Sequence, residues 1–327
     1  MADPRSVAVV IPSWNTLGFL PACLDSLTGQ GVEPEPMIVD NGSTDGSAEY
    51  LQREGVPHVL LPRNVGFAAA VNLGVAKTEA AAILILNADT VLEPGCLSPL
   101  LDALRTDSTL GGVQPRILQL EGAGGARSVD SARIYSAGQA LTRDGRAYEL
   151  GMGEKQEPER LVGGEIFGVC GAACLLRREL FDRLGGYDES YFAFYEDVDL
   201  NLRGRIAGYG FAYVPRAVVW HVGNAAWTAG FERPGADNAR LVARNRLATQ
   251  VKFMPLRTVP RIAAVELGSL LRAARQRRLL ATLAGKLAAL AWLPRLLRER
   301  RRLRDGGDVS RARSWLGAGA GRGLRAG

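Results

Sequence analysis

Short apolar runs alternate with helix-like patterns over the first ninety residues. VAVVIP (7–12) is continuously apolar and rich in valine, which is typical of a strand buried on both faces. Further strands are predicted in residues 36–47, where the strand ends in a turn-rich loop, in residues 58–62 and in residues 81–90. Helices are predicted between them, at residues 19–30, 47–54 and 67–78. Strands that alternate with helices predict an α/β fold with a doubly wound, mostly parallel sheet.

The pattern is less regular in the second half. Residues 119–165 are rich in Gly, Arg and Glu and only weakly periodic, so they are predicted to form a long insertion or a flexible acceptor-side loop. Residues 166–192 predict an apolar strand, a short helix and a glycine stop, and residues 211–223 another strand. Beyond residue 240 the pattern is helical and rich in arginine, and residues 317–327 are predicted to be a disordered tail.

Polar residues follow each of the first four predicted strands. They are Pro12 to Asn15, Asp40 to Ser43, Arg63 to Gly66 and Asn87 to Asp89. Ligands of doubly wound sheets bind at the carboxyl ends of the strands, so these loops predict one binding edge. The sequence contains neither the dinucleotide-binding nor the P-loop glycine pattern. Asp89 with Asn87 could instead hold a divalent cation against a diphosphate, although a turn or helix cap is the alternative.

Charge divides the chain into two parts. Residues 1–239 contain 19 Lys/Arg and 30 Asp/Glu, whereas residues 240–327 contain 21 and 4. We therefore predict a catalytic domain over 1–239 and a basic helical region over 240–327. With 327 residues, of which 47% are hydrophobic, the first part can bury a substantial core.

The cysteines and the apolar runs indicate the compartment. Cys23, Cys96, Cys170 and Cys174 lack paired zinc-type spacing, so buried reduced thiols are expected. The first apolar run is only about six residues long and ends at a proline, so no signal peptide is expected. No uncharged apolar run approaches the roughly 18–20 residues of a spanning helix. The sequence predicts a cytoplasmic protein unless something holds it on a surface.

Residues 261–304 combine leucine and alanine at helical spacing with clustered arginines and one tryptophan, Trp292. A basic amphipathic helix with bulky apolar residues suits an anionic membrane surface. Nucleic acid fits the charge alone, but the segment has no recognised reading motif and is too rich in leucine, so no nucleic-acid partner is expected. The alternative is a helical annex packed on the catalytic domain, with solvated arginines.

Three carboxylates, Glu196, Asp197 and Asp199, stand within four residues, directly after an aromatic run. If ionised they repel one another, and apolar rings reduce their hydration. The arrangement therefore costs free energy unless cations, hydrogen-bond donors or a reaction use it. A helix N-terminus is the alternative, because Arg203 and Arg205 lie one or two turns further on.

Six segments resemble, in order and spacing, the motifs of the family-2 inverting glycosyltransferases. They are VAVVIPSWN, IVDNGSTDGS, NVGFAAAVNLG, LILNADT, GACLLRRELFDRLGGYDESYFAFYEDVDLNLR and WHVG. The resemblance covers about residues 7–225 and is greatest to the bacterial rhamnosyltransferase-like branch, which builds cell-wall and surface polysaccharides. It implies the GT-A fold, a Rossmann-like mixed sheet flanked by helices.

The resemblance assigns residues to the donor and to the metal. Donor-binding roles fall on Pro12, Ser13, Asp40, Asn41, Gly66, Asn72 and Asn87. Asp40 matches the first acid of the family's Asp-Asp-Gly pattern, and Asn41 replaces the second. Asn87-Ala88-Asp89 matches the Asp-x-Asp motif with its first acid changed, which makes Asp89 the principal ligand of Mg2+ or Mn2+. His221 matches a histidine that completes the metal or diphosphate site in some relatives, and a structural role is its alternative.

The same resemblance answers why the carboxylates are crowded. Asp197 becomes the general base that takes a proton from the acceptor hydroxyl. Glu196 and Asp199 are then expected to orient the loop, pair with Arg203 or Arg205 and help cap the helix. An acceptor sugar could stack on the aromatic run, from which Tyr191, Phe194 and Tyr195 are assigned to the acceptor side.

Together these features predict an inverting glycosyltransferase on the cytoplasmic face of the cell membrane. Its partners would be a nucleotide-diphospho-sugar, most readily dTDP-rhamnose, and a lipid-linked or polysaccharide acceptor; UDP-linked hexoses and galactofuranose stay open as donors, and a homo-oligomer is compatible with the sequence. The alternatives are a catalytically silent nucleotide-sugar-binding subunit and a membrane-tethered scaffold. Hydrolysis is disfavoured because glycosidase acids flank one bond, whereas these acids are adjacent.

Overall fold

The computed structural model describes residues 6–121, 127–129, 131–156, 162–223 and 234–318. The strands are β1 (Val7–Ser13), β2 (Pro34–Asp40), β3 (His58–Leu60), β4 (Ala82–Leu86), β5 (Thr90–Leu92), β6 (Leu110–Gln119), β7 (Ile134–Ser136), β8 (Gln139–Leu141), β9 (Ala147–Glu149), β10 (Gly164–Glu165), β11 (Ala173–Arg177) and β12 (Gly210–His221). The tail predicted to be disordered lies, from residue 319 on, outside the described residues.

The α-helices are α1 (Leu20–Asp25), α2 (Ser47–Glu54), α3 (Phe67–Ala76), α4 (Leu97–Thr106), α5 (Arg178–Leu184), α6 (Glu196–Ala207), α7 (Pro234–Phe253), α8 (Val259–Arg275), α9 (Leu279–Ala291), α10 (Leu293–Gly306) and α11 (Val309–Arg313). Short 3-10 turns occupy Glu189–Tyr191 and Leu256–Thr258. Most of the predicted strands and helices are therefore present, in the predicted order.

The central sheet is mixed, which confirms the predicted fold class. Its strand order is β10-β12-β6-β11-β4-β1-β2-β3, with β5 paired to β12 and β7 to β6. Strand β1 pairs in parallel with β2 and β4, whereas β11 lies antiparallel between β4 and β6. Strands β8 and β9 form a separate antiparallel pair. Because β11 runs against β4, the start of β11 lies at the edge where β4 ends.

The strands that the apolar runs predict are buried on both faces. Val9 and Ile11 pack in one cluster with Leu100 of α4, and Val10 packs in another with Val71 of α3. All five residues of β4 are buried. Helices therefore cover both faces of the sheet, which explains why these strands are continuously apolar rather than alternating.

Some predicted bounds and elements were wrong. The helix predicted over residues 19–30 ends at Asp25, and the chain then turns through Gly29 and Gly31, which adopt φ of 70° and 73°. Helix α4 and strand β6 were not predicted. Strand β6 contains Gly111, Gly112 and a proline, residues that weaken a strand pattern. In residues 119–165, predicted to be an insertion or a flexible loop, the described part contains β7, β8, β9 and β10.

The helices after residue 240 pack on the sheet domain. A buried cluster joins Phe167 and Ile206 of that domain to Phe253, Ala312 and Trp315. Helix α7 packs against α9 and α10, and α10 and α11 contact α6. Among the described helices no single one has the length and apolar composition to cross a membrane; α9 and α10, which meet at a bend of 58°, pass that test only as a pair.

Candidate active site

One cavity gathers residues from most parts of the described chain. Its volume is about 310 Å3. The lining residues are Phe67 of α3, Asn87 after β4, Tyr135, Gln139, Ala147, Tyr148, Glu149, Cys170 to Ala172 before β11, Ala193 to Val198, His221 of β12 and Val242 of α7. Strand β4 ends and β11 begins at this edge of the sheet. The cavity therefore lies at the edge of the sheet where β4 ends, and of the four predicted loops one residue, Asn87, lines it.

The loop before α6 is strained. Phe192, Phe194 and Tyr195 adopt φ of 65°, 67° and 72°, which side chains other than glycine rarely accept. Left-handed backbone costs such residues roughly 1–2 kcal/mol each. This cost is incurred directly before Glu196 and Asp197, so the surrounding structure must hold the loop in place.

Asn245 of α7 holds that loop. Its side chain is fully buried, and its Nδ2 donates to the carbonyl oxygens of Tyr191, Ala193 and Phe194 at 2.9, 2.8 and 2.7 Å. Arg244 donates from Nη2 to the carbonyl of Tyr191 at 2.8 Å as well. A helix of the basic C-terminal region thus fixes the segment that presents the two acids.

Asp197 is the second residue of α6 and lines the cavity. Its Oδ2 accepts hydrogen bonds from Gln139 Nε2 at 2.8 Å and from the backbone N–H of Gly171 at 2.9 Å, and its Oδ1 accepts from the N–H of Val198 at 2.7 Å. Burial raises the pKa of Asp197 above its ordinary value, and these hydrogen bonds oppose the shift. The result is a fixed carboxylate with a strengthened affinity for a proton.

Glu196 lies beside Asp197 and is only 6% exposed. Its Oε2 has no hydrogen-bond partner among the described residues. Burial, and secondly the charge of Asp197, raise the pKa of Glu196 well above its ordinary range. Glu196 therefore holds a proton more strongly than an exposed glutamate does.

Asp199 has a structural role. It is fully buried, and its carboxylate pairs with Arg203 Nε at 2.5 Å and with Lys252 Nζ at 2.7 Å. The predicted pairing with Arg203 is confirmed, whereas Arg205 pairs with Glu165. Because Lys252 belongs to α7, this buried network also ties the C-terminal region to α6.

Asp89 and His221 meet beside the cavity. His221 lines it, and its Nε2 lies 3.2 Å from Asp89 Oδ1 and 3.2 Å from Asn87 Nδ2. His221 Nδ1 is buried without a partner among the described residues, and Tyr135 stacks edge-on against the ring at 4.4 Å between centroids. The three polar residues predicted to face the diphosphate are thus brought together. Within the described part of the chain, no group of three or more His, Cys, Asp or Glu is arranged to hold a metal.

Three predicted donor residues lie at the ends of β1 and β2. Ser13, whose Oγ bonds Thr16 Oγ1 at 2.7 Å, pairs in register with Asp40, and Pro12 precedes it in β1. Asp40 Oδ1 accepts from the N–H of Ser43 at 2.9 Å, while its buried Oδ2 has no hydrogen-bond partner among the described residues. These residues do not line the 310 Å3 cavity. An unpartnered carboxylate oxygen at this edge is suited to a ligand.

Asn41 and Gly66 support the loop that follows β2 and β3. Asn41 Nδ2 donates to the carbonyl oxygen of Gly66 at 3.2 Å, and Asn41 Oδ1 accepts from the N–H of Val65 at 2.8 Å. Gly66 adopts φ of 95°, and a Cβ there would lie 2.6 Å from Phe192. Glycine is thus required for close packing against the strained loop, rather than by a contact with the cavity.

Two of the predicted site residues, Asn72 and Tyr191, bond the chain itself and do not line the cavity. The Asn72 side chain bonds the backbone N–H and the carbonyl oxygen of Tyr187 at 2.9 Å each, so it joins α3 to a neighbouring loop. Tyr191 is 1% exposed and its hydroxyl bonds Thr249 at 2.9 Å, so it belongs to the core. Phe194 and Tyr195 line the cavity. The sequence motif does not distinguish polar groups that bind the chain itself from those that bind a ligand.

The predictions missed the hairpin of β8 and β9, which brings Gln139, Tyr148 and Glu149 to the cavity. Burial, and secondly the charge of Asp197, raise the pKa of Glu149 to about 7. The one available sequence signal is the dipeptide Asp144-Gly145 between the two strands, which favours a tight turn. Asn245 carries no signal at all, because it stands in an ordinary helical pattern.

Comparison with known sequences gives the following matches. The model of the family described as Glycosyl transferase family 2 matches residues 8–185. N-acetylglucosaminyl-diphospho-decaprenol L-rhamnosyltransferase of Mycobacterium tuberculosis is 33% identical over 210 residues, which cover 57% of this chain and 65% of that protein. The chain thus spans just under two thirds of the length of this relative.

Solved structures agree with the fold. The crystal structure of GalNAc-T7 with UDP, GalNAc and Mn2+ has a TM-score of 0.55 at 18% identity and covers 73% of this chain and 48% of that one. Staphylococcus aureus TarS, residues 1–349, has a TM-score of 0.50 at 14% identity and covers 86% and 90%. Both are GT-A glycosyltransferases, so the predicted GT-A fold is confirmed.

Proposed function

Because the chain belongs to glycosyltransferase family 2, we propose that it transfers a sugar from a nucleoside-diphosphate donor to a hydroxyl of a lipid-linked or growing glycan, with inversion. The observation that carries the proposal is the position of Asp197 on the wall of a cavity that Asn87 and His221 also line. A general base and a diphosphate-binding corner are the two things that such a displacement needs on opposite sides of the anomeric carbon.

The proposed reaction is a single displacement. The acceptor oxygen forms a bond to the anomeric carbon while the bond from that carbon to the diphosphate oxygen breaks, and the acceptor proton passes to Asp197. Gly171 and Gln139 hold Oδ2 of this carboxylate, so its direction is fixed before the acceptor arrives. The raised pKa of Asp197 favours proton uptake in the transition state.

We propose Mg2+ or Mn2+ as the cofactor, held by Asp89 and His221. The donor set fits: Asp89 Oδ1 and His221 Nε2 are 3.2 Å apart, close to the roughly 3 Å between adjacent ligands of an octahedral ion with bonds of about 2.1 Å. Two protein ligands leave positions for phosphate and water. When bound, such an ion neutralises charge on the diphosphate leaving group.

The donor and acceptor are proposed from the similarity to the mycobacterial rhamnosyltransferase, whose name specifies L-rhamnose and a decaprenyl diphosphate-linked N-acetylglucosamine. We therefore propose dTDP-rhamnose as donor and a polyprenyl diphosphate-linked sugar as acceptor. A catalytically silent donor-binding subunit is the second candidate, because Asn87 stands where the family motif has an acid. Retention of Asp89, Glu196 and Asp197 favours the enzyme.

A panel of nucleotide sugars tests the donor. In the presence of Mn2+, dTDP-rhamnose is expected to raise the melting temperature of the full chain more than UDP-glucose, UDP-galactofuranose or GDP-mannose at equal concentration, because a ligand of the folded state stabilises it by mass action. A larger shift with a UDP sugar would show that the donor is that sugar nucleotide and not dTDP-rhamnose, and the proposed reaction class would stand. No shift with any nucleotide sugar would contradict nucleotide-sugar binding.

We also propose that the C-terminal helices dock on an anionic membrane. Helix α9 exposes leucines on one face at helical spacing, with Leu280 83%, Leu287 65% and Leu290 53% exposed. Helix α8 exposes Leu267 and Leu271 at 62% and 61%. Exposed arginines lie on the same helices or between them, at positions 272, 275, 277 and 278. Leucine for the acyl boundary and arginine for anionic headgroups are the combination that an interfacial helix requires.

Vesicle flotation tests this surface. The full chain is expected to float with phosphatidylglycerol vesicles, and the double variant Leu280→Gln, Leu287→Gln to remain largely unbound, because both leucines are lost from the exposed face. Leu60→Gln, at 39% exposure on β3, is the matched control and should float like the wild type. Equal flotation of the double variant, or no flotation of the wild type, would remove the membrane proposal.

A further inference from the structure

The β8–β9 hairpin presents a third acidic side chain, Glu149, to the cavity, besides Glu196 and Asp197. Gln139 and Glu149 face each other directly across the two strands. Gln139 Nε2 donates to Glu149 Oε1 at 3.0 Å and to Asp197 Oδ2 at 2.8 Å. Asn201 Nδ2 donates to Gln139 Oε1 at 2.9 Å, which fixes the orientation of the amide. One glutamine thus connects Glu149 to the carboxylate assigned as the base.

The Gln139 amide is held from several sides. Asn201 is fully buried, and its Nδ2 also donates to the carbonyl oxygen of Val169 at 2.8 Å. A Cβ on Gly168 would overlap Asn201, so the chain packs tightly against the Asn201 amide. Buried Asn201 therefore holds the Gln139 amide in place, and the amide in turn fixes the spacing between Glu149 and Asp197.

Glu149 has hydrogen-bond donors but no cation. Ser136 Oγ donates to its Oε2 at 2.5 Å, and Gln139 donates to its Oε1. Among the described residues, no Lys, Arg or His forms an ion pair with Glu149. Glu149 is half-buried, and a partly desolvated carboxylate without a counter-charge costs free energy. The pKa of about 7 reflects that cost. Cys170 also hydrogen-bonds this carboxylate, so three donors are accounted for and about one of its four lone-pair sites is left for a ligand in the cavity.

We propose that Glu149 binds a hydroxyl of the acceptor sugar, next to the hydroxyl that gives its proton to Asp197, and so selects the acceptor. This inference rests on the proposed glycosyl transfer. A vicinal diol of a pyranose presents two hydroxyls on neighbouring carbons, and the bridge through Gln139 holds two carboxylates side by side at one wall. Phe194, Tyr148 and Tyr195 line the same cavity and offer apolar contact to the sugar ring.

The role differs from that of Asp197. Glu149 takes no proton from the attacking oxygen; it orients the acceptor ring so that the correct hydroxyl faces Asp197. A sugar that lacks the neighbouring hydroxyl leaves this half-buried carboxylate without one of its hydrogen bonds, and a site built to hydrogen-bond a hydroxyl discriminates against such an analogue. Loss of Glu149 should therefore act on acceptor binding and regioselectivity, and much less on donor binding.

Glu149→Gln tests the inference, because the amide keeps the size of the side chain and can still accept from Gln139. With dTDP-rhamnose as donor and a synthetic short-chain diphospholipid bearing N-acetylglucosamine as acceptor, we expect the acceptor KM to rise about 10- to 100-fold, the range for a hydrogen bond to a charged group. The donor KM and the slow hydrolysis of donor without acceptor should stay within about twofold. Glu79→Gln, an exposed glutamate after α3, is the control and should change neither constant.

Deoxygenated acceptors distinguish a binding role of Glu149 from a merely structural one. Removing the hydroxyl that Glu149 binds should cost the wild type about the same factor as Glu149→Gln, and should cost the variant little more, since both changes remove one contact. Glu149→Asp keeps the charge and should restore part of the acceptor affinity; it also serves if the glutamine variant fails to fold.

The outcomes separate the two proposals. If the wild type transfers sugar and Glu149→Gln has an unchanged acceptor KM, or loses activity equally with every deoxygenated acceptor, the role of Glu149 is overturned while the proposed function stands. If the wild type transfers no sugar to any acceptor, with every donor of the panel, the proposed function itself has failed.

Discussion

Asp197→Asn is expected to lower the rate of sugar transfer by about 10²- to 10⁴-fold, the range that a positioned general base contributes. The amide cannot take the acceptor proton, whereas the shape of the side chain is unchanged. Donor binding should persist, because no described contact of Asp197 reaches the Asp89 and His221 corner. The measurement is the single-turnover transfer rate at saturating donor and acceptor.

Folding must be checked in the same variant, because the geometry predicts a modest cost. Gln139 and Gly171 both donate to Oδ2, so the amide oxygen must take that position and the amide nitrogen then faces the N–H of Val198. One hydrogen bond is lost, a change of roughly 0.5–1.5 kcal/mol. Asp102→Asn, an exposed carboxylate on α4, is the matched control and should transfer at the wild-type rate. A folded Asp197→Asn variant with wild-type activity would exclude Asp197 as the base.

Asp89→Ala is expected to lower transfer by about 10²- to 10³-fold, the loss typical of removing one preorganised electrostatic contact to a charge that develops in the reaction. The substitution removes the carboxylate that lies 3.2 Å from His221 Nε2. The first readout does not depend on turnover: Mn2+ together with dTDP should stabilise the wild type against heat, and this metal-dependent increment should be lost in Asp89→Ala.

Asp102→Ala serves as the control for Asp89→Ala, since it removes an exposed carboxylate from the same domain. Its melting temperature should rise with Mn2+ and dTDP as in the wild type. A full metal-dependent shift in folded Asp89→Ala would show that Asp89 is not a ligand. Such a result would leave the assignment of Asp197 intact, because the two residues act on different atoms of the reaction.

The sequence predicted the parts of the fold that are set by local pattern. Strands β1 and β4 are continuously apolar because helices cover both of their faces, and Asn87 and Asp89 could be assigned to one edge because parallel strands end together. This topology explains why residues at β4, α6 and β12 lie close together. Asp197 and His221 line one cavity although they are far from Asn87 in the sequence.

The features that the sequence did not predict depend on long-range contacts. Glu149 reaches the cavity through a hairpin whose strands are three residues each, too short for a periodic signal. Asn245 matters because three carbonyl groups of a strained loop converge on it. Tyr191 was assigned to the acceptor because an aromatic run predicts a core and a sugar platform equally well. No pattern within one segment distinguishes these cases.

The basic C-terminal region has two roles in this account. Its inner face, with Asn245 and Lys252, fixes the loop and helix that carry Glu196 and Asp197. Its outer face exposes leucines such as Leu280 and is proposed to meet the membrane. A lipid-linked acceptor would approach from that same membrane. A truncation at residue 240 would remove both roles at once, so point variants are the sharper probes.

The stereochemistry of the product tests the central claim most directly. If Asp197 deprotonates an acceptor that attacks opposite the diphosphate, every transferred sugar must have the anomeric configuration opposite to that of the donor. NMR coupling constants of the product from the wild type should therefore show only the inverted anomer, and folded Asp197→Asn should form almost none of it. A product that keeps the donor configuration would contradict the single displacement on which the account rests.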